Sequence, residues 1–354
     1  MLSQPSDAAW DEFVSRAPGG DIVQTTAWAE AKRALGFSVG RVANCGESGI
    51  AGGGQIIVKR MGPFGGIGYV ARGPLLSHDH AGEAGALLDR IETWARVHSV
   101  RHIIIQPGEE AGDIESALNG RGYAGNAPAV TPTATLRIDL RQSFDQILGR
   151  MSRGRRRDIA AIQRGNIEVR LGGDADLDMF CAMHEATARR ERFLPLSRTY
   201  LHRQWACLSP LGWIRLFIAH LEGRPIAGIW HTSFGAGMTA RVAGWTGEAV
   251  RMRPNIACYW GAIQWAKDQG YRSYDFGGID RAFAEAVQAE HRVNPDRADT
   301  PEAFKYFFGG DLVLLPMPRQ FTLNPLARAV THPVFARLAG RSSFRRFVSR
   351  FRNG

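Results

Sequence analysis

Apolar and polar positions along the chain follow two different periods, which predict alternating helices and strands. Trp28, Ala31 and Leu35 recur at intervals of three and four residues, so they fall on one face of a predicted helix. Residues 38–61 carry two apolar runs separated by the turn sequence CGESG, and residues 212–245 carry three runs separated by EGRP and GAG. Such runs are typical of strands joined by short connections. The pattern therefore predicts an α/β or α+β layered fold.

The second half of the chain repeats the order of elements found in the first half. A strand and helix over 166–192 precede the three-strand segment, and residues 254–270 then form a helix with proline near its start and glycine at its end. The 354 residues suffice for two domains of about 150 residues each. We place the boundary between them at residues 148 and 149.

Positive charge exceeds negative charge, and the excess is concentrated in two segments. The chain has 44 Lys and Arg against 34 Asp and Glu, a net charge of +10, which favours polyanionic partners. Residues 149–165 hold six arginines around a single aspartate, and residues 335–354 contain no acid. In this tail, apolar residues at 344, 347, 348 and 351 predict a basic amphipathic helix that binds a membrane surface or a polyanion, with a solvated chain end as the alternative.

Several classes of protein lack their motifs in this sequence. No run approaches the ~20 apolar residues that span a bilayer, and the first residues have no secretory signal pattern, so we expect a cytoplasmic protein. The four cysteines form no CxxC pair and have no histidine at metal spacing, so we predict no metal site. Kinase and serine-hydrolase motifs are missing. The glycine-rich RMGPFGG does not match the pyrophosphate loop of acetyl-CoA-dependent acyltransferases.

Four motifs in the correct order resemble one family, the FemABX non-ribosomal peptidyl transferases. They are GGDIVQTTAWAEAKRALGF, GYVARGPLL, RRRDIAAIQRGNIEVR, and RPNIACYWGAIQWAKDQGYRSYDFGGID followed by FKYFFGG. The resemblance extends from about residue 8 to residue 330. It implies two tandem GNAT-like (acyl-CoA N-acyltransferase) domains with twisted mixed sheets, at 1–148 and 149–316. It also implies that residues 317–354 pack on the first domain as a C-terminal segment. No insertion corresponds to the long helical arm of larger members.

The resemblance also implies an activity and its partners. The donor is aminoacyl-tRNA, with no further cofactor. The acceptor is the stem peptide of a peptidoglycan precursor, either UDP-muramyl pentapeptide or its lipid-linked form. Transfer of an amino acid to that peptide builds the bridge between peptides. The basic tail would add a peripheral contact with the inner face of the plasma membrane.

Site residues follow from the family motifs. Phe304 and Lys305 match the Phe-Lys pair at the acyl-transfer centre, where an ammonium between aromatic rings would be desolvated and would stabilise an oxyanion strongly. A surface lysine whose neighbours fill the core is the alternative. Lys32 matches the first-domain lysine that neutralises the acceptor diphosphate. We include Trp28 of the same helix, and Arg198 as a second phosphate-binding residue.

The arginine cluster has a general electrostatic interpretation. Arg153, Arg155, Arg156 and Arg157 suit the phosphates of a tRNA backbone, and a solvated helix face is the alternative. Two other functions remain open. One is a GNAT-fold N-acyltransferase that uses acyl-CoA or acyl-carrier protein in exopolysaccharide or lipid biosynthesis. The other is a non-catalytic module that binds polyanions.

Overall fold

The computed structural model describes residues 5–46, 49–62 and 65–323. The chain divides into two units. The first unit runs to Thr131 and resumes at Leu315, and the second runs from Pro132 to Leu314. The predicted basic tail at 335–354 lies outside the described residues.

The first unit is a six-stranded sheet with helices. Its elements are α1 (Asp7–Arg16), α2 (Thr26–Arg33), β1 (Ser38–Gly46), β2 (Gly49–Arg60), β3 (Gly66–Ala71), β4 (Leu75–Leu76), α3 (Ala84–Val97), β5 (Val100–Gln106), α4 (Gly112–Gly120) and β13 (Arg319–Thr322). The strand order is β1-β2-β3-β5-β13, with β4 on β2. Only β3 and β5 run parallel among these pairs. The apolar faces of α3 and α4 cover the sheet, with Leu87, Leu88 and Ile91 fully buried.

Two buried glutamines join the N-terminal helices to this sheet. Gln55 of β2 donates from Nε2 to the carbonyl oxygens of Val23 and Thr25, at 3.1 and 3.0 Å. Its Oε1 accepts from Arg41 Nε at 3.0 Å, and its backbone N–H donates to Gln24 Oε1 at 2.7 Å. Buried polar groups are costly unless they are hydrogen-bonded, and here they bond to one another. The network therefore fixes the start of α2 against the sheet.

The second unit contains a seven-stranded sheet. Its elements are β6 (Ala134–Asp139), α5 (Phe144–Arg150), α6 (Arg153–Arg164), β7 (Ile167–Gly172), α7 (Leu177–Glu191), α8 (Arg198–Leu208), β8 (Ile214–Leu221), β9 (Arg224–Phe234), β10 (Gly237–Trp245), α9 (Pro254–Asp268), β11 (Ser273–Gly278), α10 (Arg281–Glu290), α11 (Pro301–Tyr306) and β12 (Asp311–Leu314). The strand order is β12-β6-β11-β10-β9-β8-β7, and only β10 and β11 run parallel. Helix α9 supplies much of the main core, with Cys258, Ala262 and Ile263 fully buried.

Both units contain the same arrangement of elements. In the first, the antiparallel strands β1, β2 and β3 are followed by α3 and then by β5, which pairs parallel with β3. In the second, β8, β9 and β10 are followed by α9 and then by β11, which pairs parallel with β10. The predicted α+β fold with two similar mixed sheets is confirmed. In the described ranges no helix exceeds 15 residues, so the structure also agrees with the absence of a long helical arm.

The division between the units falls at Thr131 and Pro132, whereas the sequence predicted residues 148 and 149. Strand β6 is the reason, because it pairs with β11 and β12 inside the second sheet. The strand pattern of 134–139 carries no information about which sheet it joins. At the other end of the chain, the sequence predicted a return to the first domain after residue 316, and β13 pairs with β5 there.

We expect Gln55→Leu to destabilise the first unit by about 3 kcal/mol. The substitution leaves several buried donors and acceptors without partners, at roughly 1–3 kcal/mol each. Urea denaturation with tryptophan fluorescence measures the change. Asn119→Leu is the control, because Asn119 is exposed on α4 of the same unit and should change stability by less than ~0.5 kcal/mol. Equal effects of the two substitutions would contradict a structural role for the glutamine network.

Candidate active site

The parallel strands at the centre of the second sheet pair over three residues only. Gly237, Met238 and Thr239 of β10 pair with Ser273, Tyr274 and Asp275 of β11. Beyond these pairs, no further pairing joins the two strands in the described chain, although β10 continues to Trp245. A bulge between Ala240 and Val242 turns β10 where the separation begins. We call the unpaired stretch between the carboxyl ends of these two parallel strands the wedge, since such a position is a common place for ligands in sheets of this kind.

The first unit lacks this wedge. Its parallel strands β3 and β5 stay paired over six residues, from Gly66 with Val100 to Ala71 with Gln106. The two units therefore share an arrangement of strands but differ at the position where a substrate could enter the sheet. The second unit is the candidate for the chemical step.

Lys305 lies next to the wedge. It belongs to α11, and its Nζ donates to the carbonyl oxygen of Gly278, the last residue of β11, at 2.8 Å. The side chain is half-buried. The strand end itself is fixed, since Asp275 accepts from the Thr135 hydroxyl and from Gly277 N–H, the latter at 2.7 Å. Asp275 thus caps the turn at the end of β11.

Two glycines allow α11 to approach the rest of the unit closely. Gly309 has φ +78°, and a β-carbon there would lie 2.3 Å from the carbonyl oxygen of Arg150. A β-carbon at Gly310 would lie 2.8 Å from the carbonyl oxygen of Arg137 in β6. Ser152 N–H also donates to Phe307 O at 3.0 Å. Because Gly309 and Gly310 have no β-carbon, the helix that carries Lys305 packs closely against the α5–α6 connection and against β6.

The buried cation among the aromatic rings is Arg155, whereas the sequence predicted Lys305. Arg155 is only 6% exposed, and its guanidinium carbon lies 4.4 Å from the ring centre of Phe304 and 4.3 Å from that of Phe308. Its NH2 donates to the carbonyl oxygen of Phe304 at 2.8 Å. Burial lowers the pKa of Arg155 to about 10, against the opposing field of Asp158 at 3.8 Å. Phe304 is accordingly a packing partner of Arg155 and of Tyr259, at 5.8 Å between ring centres.

Arg155 therefore cannot serve as the polyanion contact that the sequence predicted, because its guanidinium is enclosed. The other three members of that set are exposed on α6. Arg156 donates to the carbonyl oxygens of Gly149 and Met151, at 3.1 and 2.7 Å. Arg153 and Arg157 face solvent.

Lys32 is buried in the first unit. It lies one turn after the half-buried Trp28 on α2, is 5% exposed, and its Nζ is 5.3 Å from the ring centre of Phe37. Lys59 of β2 approaches the same ring to 4.8 Å. Burial lowers the pKa of Lys32 to about 7, since a low-dielectric environment disfavours the charged amine. Lys32 is therefore not simply an exposed charge on the surface of α2.

Arg198 is the first residue of α8 and lies on the surface of the second unit. Its Nε and NH2 bind both carboxylate oxygens of Glu185, at 2.7 and 3.0 Å, and NH1 is 3.7 Å from Asp178. The bond to Glu185 raises the pKa of Arg198. A phosphate would have to compete with two carboxylates for this guanidinium.

The structure brings together Lys305, Phe304 and Arg155 in the second unit, and Lys32 and Trp28 in the first. Sequence reasoning missed the packing role of Arg155, whose spacing to Ile159 and Ile162 is that of one helix face. It also missed Arg253, the residue before α9, whose Nε is 3.6 Å from Asp158. The sequence did predict that a helix begins at Pro254, and this start was the signal that could have drawn attention to Arg253 directly before it.

Two further observations concern the described part of the chain as a whole. No three side chains of His, Cys, Asp or Glu come together there in a way that could hold a metal ion. None of its helices is long and apolar enough to cross a membrane.

The chain is similar to known acyltransferases. A family model described as acetyltransferase (GNAT) domain matches residues 149–285, inside the second unit. A lipid II:glycine glycyltransferase from Staphylococcus haemolyticus is 28% identical over 229 residues, which cover 61% of this chain and 54% of that protein. The chain spans about half the length of the curated relatives it matches.

Solved structures show the same fold. The crystal structure of FemX matches 93% of this chain and 98% of its own, with a TM-score of 0.80 at 18% identity. A tandem GNAT protein from the clavulanic acid biosynthesis pathway matches 90% of this chain and 95% of its own, with a TM-score of 0.52 at 12% identity. At these identities the likeness concerns the fold, and it confirms the predicted tandem GNAT-like architecture.

We expect Gly309→Ala to destabilise the second unit more than Gly270→Ala does. Both glycines have a positive φ, +78° and +81°, but a β-carbon at Gly270 meets no atom within 4 Å. The conformational strain of about 1 kcal/mol is therefore common to both. The clash with Arg150 adds roughly 1–3 kcal/mol at Gly309 alone. Thermal denaturation by circular dichroism measures both variants, and equal losses would show that α11 does not depend on this close approach.

We expect Lys32→Met to stabilise the first unit in a pH-dependent way. The pKa of Lys32 is about 7 in the folded protein and about 10.5 in the unfolded chain. Between these values the unfolded chain binds the extra proton, so the unfolding free energy rises with pH. The penalty that Lys32 imposes is thus absent above pH ~10.5 and complete below pH ~7.

Urea denaturation at pH 6, 8 and 10 tests this expectation. The stabilisation by Lys32→Met should be largest at pH 6 and smallest at pH 10. Arg33→Met is the control, because Arg33 is exposed on the same helix and arginine stays charged over this range. A Lys32→Met effect that is the same at all three pH values would rule out a buried, titrating amine.

Proposed function

We propose that this chain is a member of the FemABX family and that it transfers an amino acid from aminoacyl-tRNA to the stem peptide of a peptidoglycan precursor. Its Staphylococcus relatives are named lipid II:glycine glycyltransferases, which supports a lipid-linked precursor as the acceptor. The transfer assay described below would identify which amino acid this chain transfers.

One observation carries the proposal. The second unit combines the unpaired wedge between β10 and β11 with a lysine ammonium at the end of β11, where Lys305 Nζ is 2.8 Å from Gly278 O. An aminoacyl ester that entered between the separated strands would bring its carbonyl group close to that ammonium. The closed pair β3–β5 in the first unit offers no equivalent entry.

The chemistry needs little more than alignment and charge stabilisation. The amine nitrogen of the stem peptide attacks the ester carbonyl, and the carbonyl oxygen becomes negatively charged. The bond from the carbonyl carbon to the ribose oxygen of the tRNA then breaks, an amide forms, and the ribose oxygen leaves with the proton that the amine gives up. An ammonium has three N–H donors, so Lys305 can keep its bond to Gly278 O and also donate to the oxyanion.

Lys32 fits the acceptor side of the proposal. A buried amine with a pKa near 7 is half neutral at physiological pH. A phosphate at this position would favour the protonated form, so binding of the diphosphate and protonation of Lys32 would support each other. Lys59, whose Nζ lies 4.8 Å from the centre of the Phe37 ring, adds a second positive charge.

We expect Lys305→Met to lower the rate constant for transfer by 10²- to 10³-fold, the usual effect of removing one oxyanion donor. The assay offers a set of radiolabelled aminoacyl-tRNAs to UDP-muramyl pentapeptide and to its lipid-linked form. Lys305→Arg, which retains the charge, should keep part of the activity. Glu302→Gln lies on the same helix and serves as the control.

The outcome separates the candidate functions. Transfer that depends on Lys305 supports the peptidyl transferase. If the wild-type protein transfers label from acyl-CoA or acyl-carrier protein and from no aminoacyl-tRNA, the N-acyltransferase alternative is correct. A protein that binds tRNA but transfers nothing from any donor would be a polyanion-binding module.

A further inference from the structure

We infer that one surface of the second unit docks the sugar–phosphate backbone of the donor RNA beside the wedge. This inference rests on the proposed function, because it concerns how the tRNA reaches that site. The surface consists of exposed arginines from helix α6 and from the loop before α9, and we call it the α6–loop surface. Its members are Arg153, Arg156, Arg157, Arg164, Arg251 and Arg253.

Helix α6 presents its arginines along one side. Arg153, Arg157 and Arg164 are spaced at i, i+4 and i+11, so they lie within about 40° of one another around the helix. All three are exposed, whereas Arg155 and Ile159 on the opposite side are buried. The distance along the helix from residue 153 to residue 164 is about 16 Å, which is long enough to follow several phosphates of one strand.

The loop between β10 and α9 continues this surface. Arg253 Nε lies 3.6 Å from Asp158 of α6. A β-carbon placed at Gly165, just after α6, would lie 3.7 Å from Met252 Cε. The loop therefore rests on the carboxyl-terminal half of α6, and its arginines extend the row on the helix.

The position of the loop links the surface to the wedge. The loop begins after Trp245, at the end of β10 that has separated from β11, and ends at Arg253, the residue before α9. Backbone that crosses the α6–loop surface would therefore arrive at the open end of the strands. A terminal nucleotide carrying an ester could then enter between them.

Little negative charge opposes these arginines. Asp158 approaches Arg155 and Arg253, and in the described ranges no carboxylate pairs with Arg153, Arg157, Arg164 or Arg251. Exposed guanidinium groups of this kind bind phosphates in bidentate fashion. Contacts to phosphate alone position the RNA without reading its sequence.

RNA fits this surface better than a membrane does. Val250 and Met252 are exposed to 55% and 36%, and they are the apolar side chains that a bilayer could take up from the loop. Six arginines accompany them, and the apolar residues beside the α6 arginines are the small side chains of Ala160 and Ala161. Peripheral membrane helices instead combine their charges with a continuous apolar face.

The test measures binding of a fluorescent tRNA by anisotropy, without any transfer reaction. The two double variants are Arg157→Gln with Arg164→Gln, and Arg251→Gln with Arg253→Gln. Each should weaken binding at least tenfold in 50 mM salt, and each should reduce the slope of log K against log salt by about 1 to 2. Arg203→Gln with Arg224→Gln is the matched control, because both residues are exposed elsewhere in the same unit.

A second arm uses vesicles of anionic phospholipid in a flotation assay. Loss of vesicle binding with unchanged tRNA binding in the α6–loop variants would overturn the inference in favour of a membrane surface. Equal tRNA affinity in these variants and in the control would also overturn it. Circular dichroism melting confirms that each variant is folded.

The inference and the proposed function can fail separately. If tRNA binding depends on the α6–loop surface but no aminoacyl-tRNA supports transfer, the docking surface stands and the proposed reaction does not. If transfer occurs while the double variants bind tRNA like the wild type, the reaction stands and the docking surface is wrong.

Discussion

The burial of one guanidinium organises the second unit. Arg155 is held between Phe304 and Phe308 and donates to the backbone of Phe304. This contact attaches helix α6 to helix α11, and so it determines where Lys305 stands at the end of β11. Because a helix can turn only one side inward, the same contact directs Arg153, Arg157 and Arg164 outward. One buried charge thus couples the position of the candidate catalytic lysine to the orientation of the basic surface.

Burying a charge is costly unless other groups compensate for it. Two aromatic faces, one carbonyl oxygen and the nearby Asp158 share that task for Arg155, which retains a pKa near 10 and stays protonated. Arginine suits the position because its planar group stacks on rings and keeps its charge. Lys32 differs, since burial brings the pKa of its amine to about 7. The first of these cations keeps its charge because its neighbours compensate for burial, whereas burial brings the second close to the neutral form at physiological pH.

Much of the fold could be predicted from the sequence, because it depends on local periodicity. The helical spacing around Trp28, the three strands of 212–245 and the proline that begins α9 all reflect nearest neighbours in the chain. Strand β6 shows the limit of such reasoning. Its alternating pattern identifies a strand, but its partners β11 and β12 lie more than 130 residues away, so the domain boundary was predicted too late. Helix α8 was also missed. It begins at Arg198, and the residues directly before it, LPLS, have the character of a loop.

The site shows the same limit at the level of single side chains. The family motif pointed to Lys305, and an aromatic run around a lysine favoured a desolvated ammonium there. The rings instead enclose Arg155, which is 149 residues from Phe304 in the chain. The two final glycines allow the close packing of α11, because neither has a β-carbon. The interpretation of FKYFFGG therefore changes. Its aromatic residues and glycines bind the helix to the unit, and the lysine extends from that packed turn to the end of β11, beyond the last residue pair that joins β11 to β10.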